Sequence, residues 1–243
     1  MSGHSKWNNI KNKKAKTDAQ KAKVFTRIGK EIVMAVRAGG GNPDTNGKLR
    51  DLIAKAKSLN VPNDNIERAI KKAVGDDSVT YEEIYYEGYG PSGVAVIVET
   101  ATDNRNRTAS DVRHYFDKYG GNLGQSGCVS YLFEDKGVIV ILAEDGVDED
   151  ALMEAALDAG AADFMSDGDA FVIYTETSDL SAVREALEGA GYTIESAEND
   201  KIPSNYITLE SEDDIKNMNL LIEHLEDNDD VQNIYHNWEN CDE

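Results

Sequence analysis

A chain of 243 residues is long for one domain and comfortable for two or three, and 40% hydrophobic content suffices for ordinary cores. The longest apolar run, residues 138–143, is far short of the roughly 20 needed to span a bilayer. No apolar stretch opens the chain, and Cys128 and Cys241 lack neighbours at metal-ligand spacing, so a reduced, cytoplasmic setting without membrane, metal or cofactor is expected.

The net charge of −21 argues against a polyanionic partner only as an average. Residues 1–75 hold 17 Lys+Arg against 6 Asp+Glu, whereas residues 76–243 hold 8 against 40. An asymmetry of this kind gives one end a polyanionic partner and keeps the other off it. The first fifteen residues read as a basic arm with Trp7 and Ile10 as its large apolar groups. Thr17 and Gln20 form a capping-box pattern for a helix in which Val24, Ile28, Ile32 and Ala35 recur until the glycines at 39–41. A second helix is predicted over 45–59. A third opens near Pro62 with Ile66, Ile70, Ala73 and Val74 on one stripe and stops at Gly75.

After Gly75 the period becomes strand-like and lysines thin out. Residues 81–87 and 94–99 read as a hairpin, 108–119 as a helix and 129–133 as a third strand. Residues 138–198 follow as strand 138–142, helix 148–159, strands 162–165 and 170–174, helix 180–190 and strand 192–196, the split βαββαβ order of ferredoxin-like folds. Strand 206–209, helix 213–225 and strand 231–235 then lack a partner of their own and are assigned to the sheet begun at residue 81. The expected fold class is α+β: a basic helical domain with its arm (1–76), an αβ domain (77–136 plus 204–243), and a ferredoxin-like αβ domain inserted into it (137–203).

The candidate nucleic-acid residues are Lys6, Trp7, Lys11, Lys13, Lys14, Lys16, Lys21, Lys23 and Arg27, a dense cationic run with an aromatic ring able to stack on a base. Arg105 and Arg107 join them, because they stand at a helix start where free backbone N–H groups favour anions. The alternative for those two is pairing with nearby carboxylates. Gly88-Tyr-Gly90-Pro-Ser-Gly93 matches a dinucleotide-binding spacing but lies between strands, so it reads as a turn. Tyr85, Tyr86 and Tyr89 read as sheet packing, and no HExxH, nucleophile elbow or phosphate-binding loop points to an enzyme.

Ser2-Gly-His-Ser-Lys-Trp7, Lys21-Ala-Lys-Val-Phe25, Val61-Pro-Asn-Asp-Asn-Ile-Glu-Arg-Ala-Ile70, Tyr86-Glu-Gly-Tyr-Gly90, Thr102-Asp-Asn-Arg-Asn-Arg-Thr108 and Gly120-Gly-Asn-Leu-Gly124 together resemble the YebC/PmpR family along essentially the whole chain. The resemblance implies three domains, with an inserted αβ domain, and no catalytic residues. It also implies a DNA-binding transcriptional regulator of the cytoplasm. The alternative it carries is a ribosome-associated translation factor or translational activator whose basic domain binds ribosomal RNA while its acidic domains face protein or tRNA. An enzyme with a site assembled from distant residues is a third reading.

Overall fold

The computed structural model describes residues 18–75, 80–143 and 146–241. Among the described residues it is an α+β chain with three N-terminal helices and two four-stranded sheets. The helices are α1 (Asp18–Gly39), α2 (Gly47–Ser58) and α3 (Asn63–Gly75). Ile28, Ile32, Val36, Leu49, Ala56 and Ile66 form their common core, as the helical spacing requires. Thr17, half of the expected capping box, lies outside the described residues. Asn46 joins two of the helices. Its amide donates to the Ala35 and Gly40 carbonyls, at 2.8 Å each, while its oxygen caps α2 through the Leu49 N–H. Gly40 reverses the chain at φ +84°. Val74, expected on the inner stripe of α3, is 67% exposed: one position beyond buried Ala73, it is turned about 100° off the stripe.

The first sheet has the order β3-β1-β2-β8, from β1 (Glu82–Tyr89), β2 (Ala95–Thr102), β3 (Asn122–Leu123) and β8 (Val231–His236). The β1–β2 hairpin runs in register from Glu82 opposite Thr102 to Tyr89 opposite Ala95. Its turn is the glycine-rich segment, with Gly93 at φ +83°. One sheet face, through Val96 and Val98, packs on Val112 and Phe116 of α4 (Arg105–Lys118) and on Met218, Leu221 and Leu225 of α7 (Glu212–Asp227). The C-terminal strand β8 pairs antiparallel with β2, as expected.

Two expected strands do not form in this sheet. Residues 206–209 make a single parallel bridge, Ile207 to Trp238. Residues 129–133 hold a short 3-10 turn, Ser130–Leu132, from which β4 (Phe133–Leu142) departs. The cause of the second is Glu87: its carboxylate accepts the N–H groups of Gly127, Val129 and Ser130 at 2.8–2.9 Å, so these donors do not enter a ladder.

The chain divides into two compact units, one described over residues 18–133 and 203–241 and the other over 134–202. Where the first is interrupted, the Ser204 N–H donates to the Leu132 carbonyl at 2.8 Å. The second unit comprises β4, α5 (Glu149–Asp158), β5 (Asp163–Asp167), β6 (Ala170–Thr175), α6 (Leu180–Gly189) and β7 (Ser196–Pro203), with strand order β5-β6-β4-β7. β6 pairs antiparallel with both β4 and β5. Ile139, Ile141 and Ile173 pack against Leu152, Val183 and Leu187 of the two helices. The last strand lies C-terminal to the expected 192–196. Tyr192 and Ile194 pack into the core from the approach segment, while the strand itself is the polar Ser196–Pro203.

Gly88 is a tight position: a Cβ there would stand 2.6 Å from the Asn122 carbonyl oxygen and 2.9 Å from the Phe116 ring. Replacing Gly88 with Ala is therefore expected to force β1 and β3 apart and cost about 1–3 kcal/mol. Urea denaturation checks this, and an unchanged midpoint would contradict the close packing.

Candidate nucleic-acid interface and the Asp230 junction

The basic stripe of α1 follows from its sequence: Lys23, Arg27 and Lys30 are spaced by four and three residues and share one helix face. All three meet the end of α7 and the turn after it. Lys23 Nζ lies 2.5 Å from Asp227 Oδ1, and Arg27 Nη2 donates to the Glu226 carbonyl at 2.6 Å. Lys30 Nζ donates to the Asp229 carbonyl at 2.9 Å, the Ala101 carbonyl at 3.2 Å and Asp230 Oδ1 at 2.9 Å. It also lies 5.2 Å from the centre of the Tyr81 ring. The free carbonyls at a helix C-terminus and the carboxylates beyond it form a negative site, to which three cations are complementary. Burial lowers the Arg27 pKa, and the fields of Glu226, Asp229, Glu31 and Asp227 oppose that shift.

Asp230 gathers the ends of several elements. Its Oδ1 accepts Lys30; its Oδ2 accepts Arg107 Nη2 at 2.7 Å, the Thr108 hydroxyl at 2.8 Å and the Thr102 hydroxyl at 3.2 Å. The residue is 5% exposed. Burial pushes its carboxyl pKa up, but the hydrogen bonds from Arg107, Lys30 and Thr108 outweigh burial and bring it down to about 2. Arg107 also bonds Asp103 Oδ1 at 2.9 Å, and its own pKa is raised by Asp230 first and Asp103 second. Arg105 is exposed and meets Glu82 at 3.4 Å. The helix-start segment is thus occupied locally, because Asn104 caps α4 by accepting the Arg107 N–H, while Thr102, Arg107 and Thr108 converge on Asp230.

The structure brings Lys23, Arg27 and Arg107 to one acidic turn, with Arg105 near the last of them. Lys6, Trp7, Lys11, Lys13, Lys14, Lys16 and the side chain of Lys21 lie outside the described residues. Sequence reasoning did not single out Lys48, Arg50 and Lys57 of α2 or Arg68 and Lys72 of α3, which are exposed and make no ion pair among the described residues. Their signal was the basic excess persisting beyond the arm. Tyr86 and Tyr89 direct their hydroxyls to main-chain carbonyls of Arg105 and Cys128. Among the described residues no group of three or more His, Cys, Asp or Glu is placed to hold a metal ion, and no helix is long and apolar enough to cross a membrane.

Among the described residues, three helices precede a sheet completed by the late strand β8, and a second αβ unit is inserted in the sequence before that strand, which defines an α+β protein. Comparison supplies the family. A family model described as the TACO1/YebC protein N-terminal domain matches residues 5–76, and one described as the TACO1/YebC second and third domain matches residues 81–238. A protein of Acetivibrio thermocellus named "Probable transcriptional regulatory protein" is 59% identical over 239 residues, covering 98% of this chain and 99% of its own. One of the same name from Ruminiclostridium cellulolyticum is 59% identical over 244 residues, covering 100% and 98%. The crystal structure of a conserved hypothetical protein from Aquifex aeolicus is similar with a TM-score of 0.83 at 47% identity, covering 93% of each chain. The chain belongs to the TACO1/YebC family.

Asp230→Asn leaves Lys30 and Arg107 without their shared buried carboxylate and is expected to cost on the order of 3 kcal/mol. The pH dependence has a definite sign. A carboxyl depressed to about 2 in the fold contributes stability that is fully present above its unfolded value, about 4, and is lost as pH falls through 2. Acid titration of unfolding should therefore show stability declining over that window in the native chain and a shallower decline in Asp230→Asn; parallel curves would contradict the assignment.

Proposed function

We propose that the chain is a cytoplasmic nucleic-acid-binding regulator of gene expression, working by binding and not by catalysis, in keeping with the name its relatives carry. The observation that supports this most directly is the segregation of charge: 17 cations among residues 1–75 against 8 in the remainder of a chain of net charge −21. The contact is assigned to the arm cations Lys6, Lys11, Lys13, Lys14 and Lys16, with Trp7 for stacking, and continues through Lys21, Lys23 and Arg27. Arg105 adds an exposed guanidinium. Arg107 adds a half-exposed one whose charge is largely balanced by Asp103 and Asp230. In this reading residues 1–76 are the nucleic-acid domain, residues 77–136 with 204–243 are an αβ domain, and residues 137–203 are a ferredoxin-like insertion. The strand order β5-β6-β4-β7 with antiparallel β6 pairs supports the insertion's assignment.

The test is affinity for a duplex DNA fragment and for ribosomal RNA, measured against salt. About five phosphate contacts should give a slope of log K on log salt near −4. Replacing Lys6, Lys11, Lys13, Lys14 and Lys16 with Gln should remove most of that slope and most of the affinity. Equal binding by native and substituted chains would overturn the assignment.

A further inference from the structure

Two of the cations that the proposed function needs, Lys23 and Arg27, are held internally on the stripe of α1 that ends at Lys30, and the three are held unequally. At the inner end, Lys30 and Asp230 are 11% and 8% exposed in their side chains, and the carboxylate has three further donors. At the outer end, Lys23 and Asp227 are 35% and 66% exposed, and among the described residues the Lys23 ammonium meets that carboxylate alone. Arg27 lies between them, part-buried, on the Glu226 carbonyl. An exposed ion pair is weak and screened by salt, whereas a buried, multiply bonded one is firmly held. The stripe is therefore pinned at Lys30 and releasable at Lys23, the end that continues directly into the basic arm.

What holds the releasable end resembles the ligand proposed for it. Residues 226–229 offer the main-chain carbonyls of Glu226 and Asp229 and the carboxylate of Asp227, with Asp229 exposed beside them. The turn thus sets the charged carboxylates of Asp227 and Asp229 beside neutral carbonyl acceptors, and a phosphodiester backbone offers the same two cations closely spaced anionic oxygens.

We infer that the acidic turn of residues 226–229 is an autoinhibitory contact: it competes with nucleic acid for Lys23 and Arg27, and a bound polyanion displaces it while Lys30 and Asp230 remain joined as the pivot. The inference rests on the proposed function and assigns a regulation to that site. Affinity is then set by the difference between two anions and not by the arm alone. Relief of the contact strengthens binding at low salt and has little effect where both contacts are screened.

The experiment uses the full chain and a duplex nucleic acid, comparing native protein with Asp227→Asn/Asp229→Asn. A control, Glu212→Gln/Asp213→Asn, removes the same charge from the exposed start of α7. The turn variant should bind about three- to fivefold more tightly at low salt, with the gain shrinking as salt rises and the melting temperature nearly unchanged. Amide hydrogen exchange in the segment around Lys23 should rise in the turn variant without ligand, and in the native chain when nucleic acid is added. The control should show neither change. Equal gains in both variants would mean that only overall charge matters and would overturn the inference. So would unchanged affinity and exchange in the turn variant, while native binding to nucleic acid would leave the proposed function standing. Absence of nucleic-acid binding in all three proteins would overturn both readings together.

Discussion

The structure depends on a buried carboxylate that does not stand alone. Removing Asp230 from water is costly, and only good geometry with several donors offsets that cost. Here the donors arrive from three places: Lys30 from the N-terminal helices, Arg107 and Thr108 from the first turn of α4, and Thr102 from the end of β2. Asp230 itself stands one residue before β8, the strand that completes the sheet. One side chain thereby fastens α1 to the αβ core and fixes where the returning C-terminal segment begins to pair. The Thr102-Asp-Asn-Arg-Asn-Arg-Thr108 motif acquires a physical explanation: three of its seven side chains bond Asp230, and Asn104 caps the helix that presents two of them.

Glu87 does comparable work on the sheet's other face. Burial raises its carboxyl pKa, and the N–H donors of Val129, Gly127 and Ser130 more than reverse this, leaving it lowered. The ionised carboxylate holds the segment after Gly124 in a turn and seats Val129 and Leu132 over Ala95 and Ile97. In both places an acidic chain uses an ionised carboxylate as an internal connector.

Much of the architecture was legible because its signals are local. Helical spacing with a glycine stop outlined α1, and the apolar strands β4 and β6 stood out as continuous runs, Val138 to Leu142 and Ala170 to Tyr174. The return of residues 231–235 to the first sheet followed from counting strands without partners. The polar strand Ser196–Pro203 was misplaced because its apolar neighbours Tyr192 and Ile194 carry the signal from outside it. Residues 129–133 have strand composition, yet the Val129 and Ser130 donors are taken by a side chain 42 and 43 residues away. The candidate site divides in the same way. The excess of cations was visible from composition, but which cations are internally engaged was not: Lys30 and Asp230 are 200 residues apart in sequence, and no local pattern links them. Arg107 was read as open to either a phosphate or a carboxylate, and the fold supplies it with two carboxylates.

The most direct test of Asp230 as the fastening between α1 and the sheet is a double-mutant cycle on unfolding free energy with Lys30→Met, Asp230→Asn and the pair together. Residues coupled through a buried ion pair show interaction energies of about 0.5–3 kcal/mol, and a value in the upper half of that range is expected for this pair. Additivity within about 0.3 kcal/mol would mean that Lys30 and Asp230 act independently, and would contradict the role of Asp230 as the fastening.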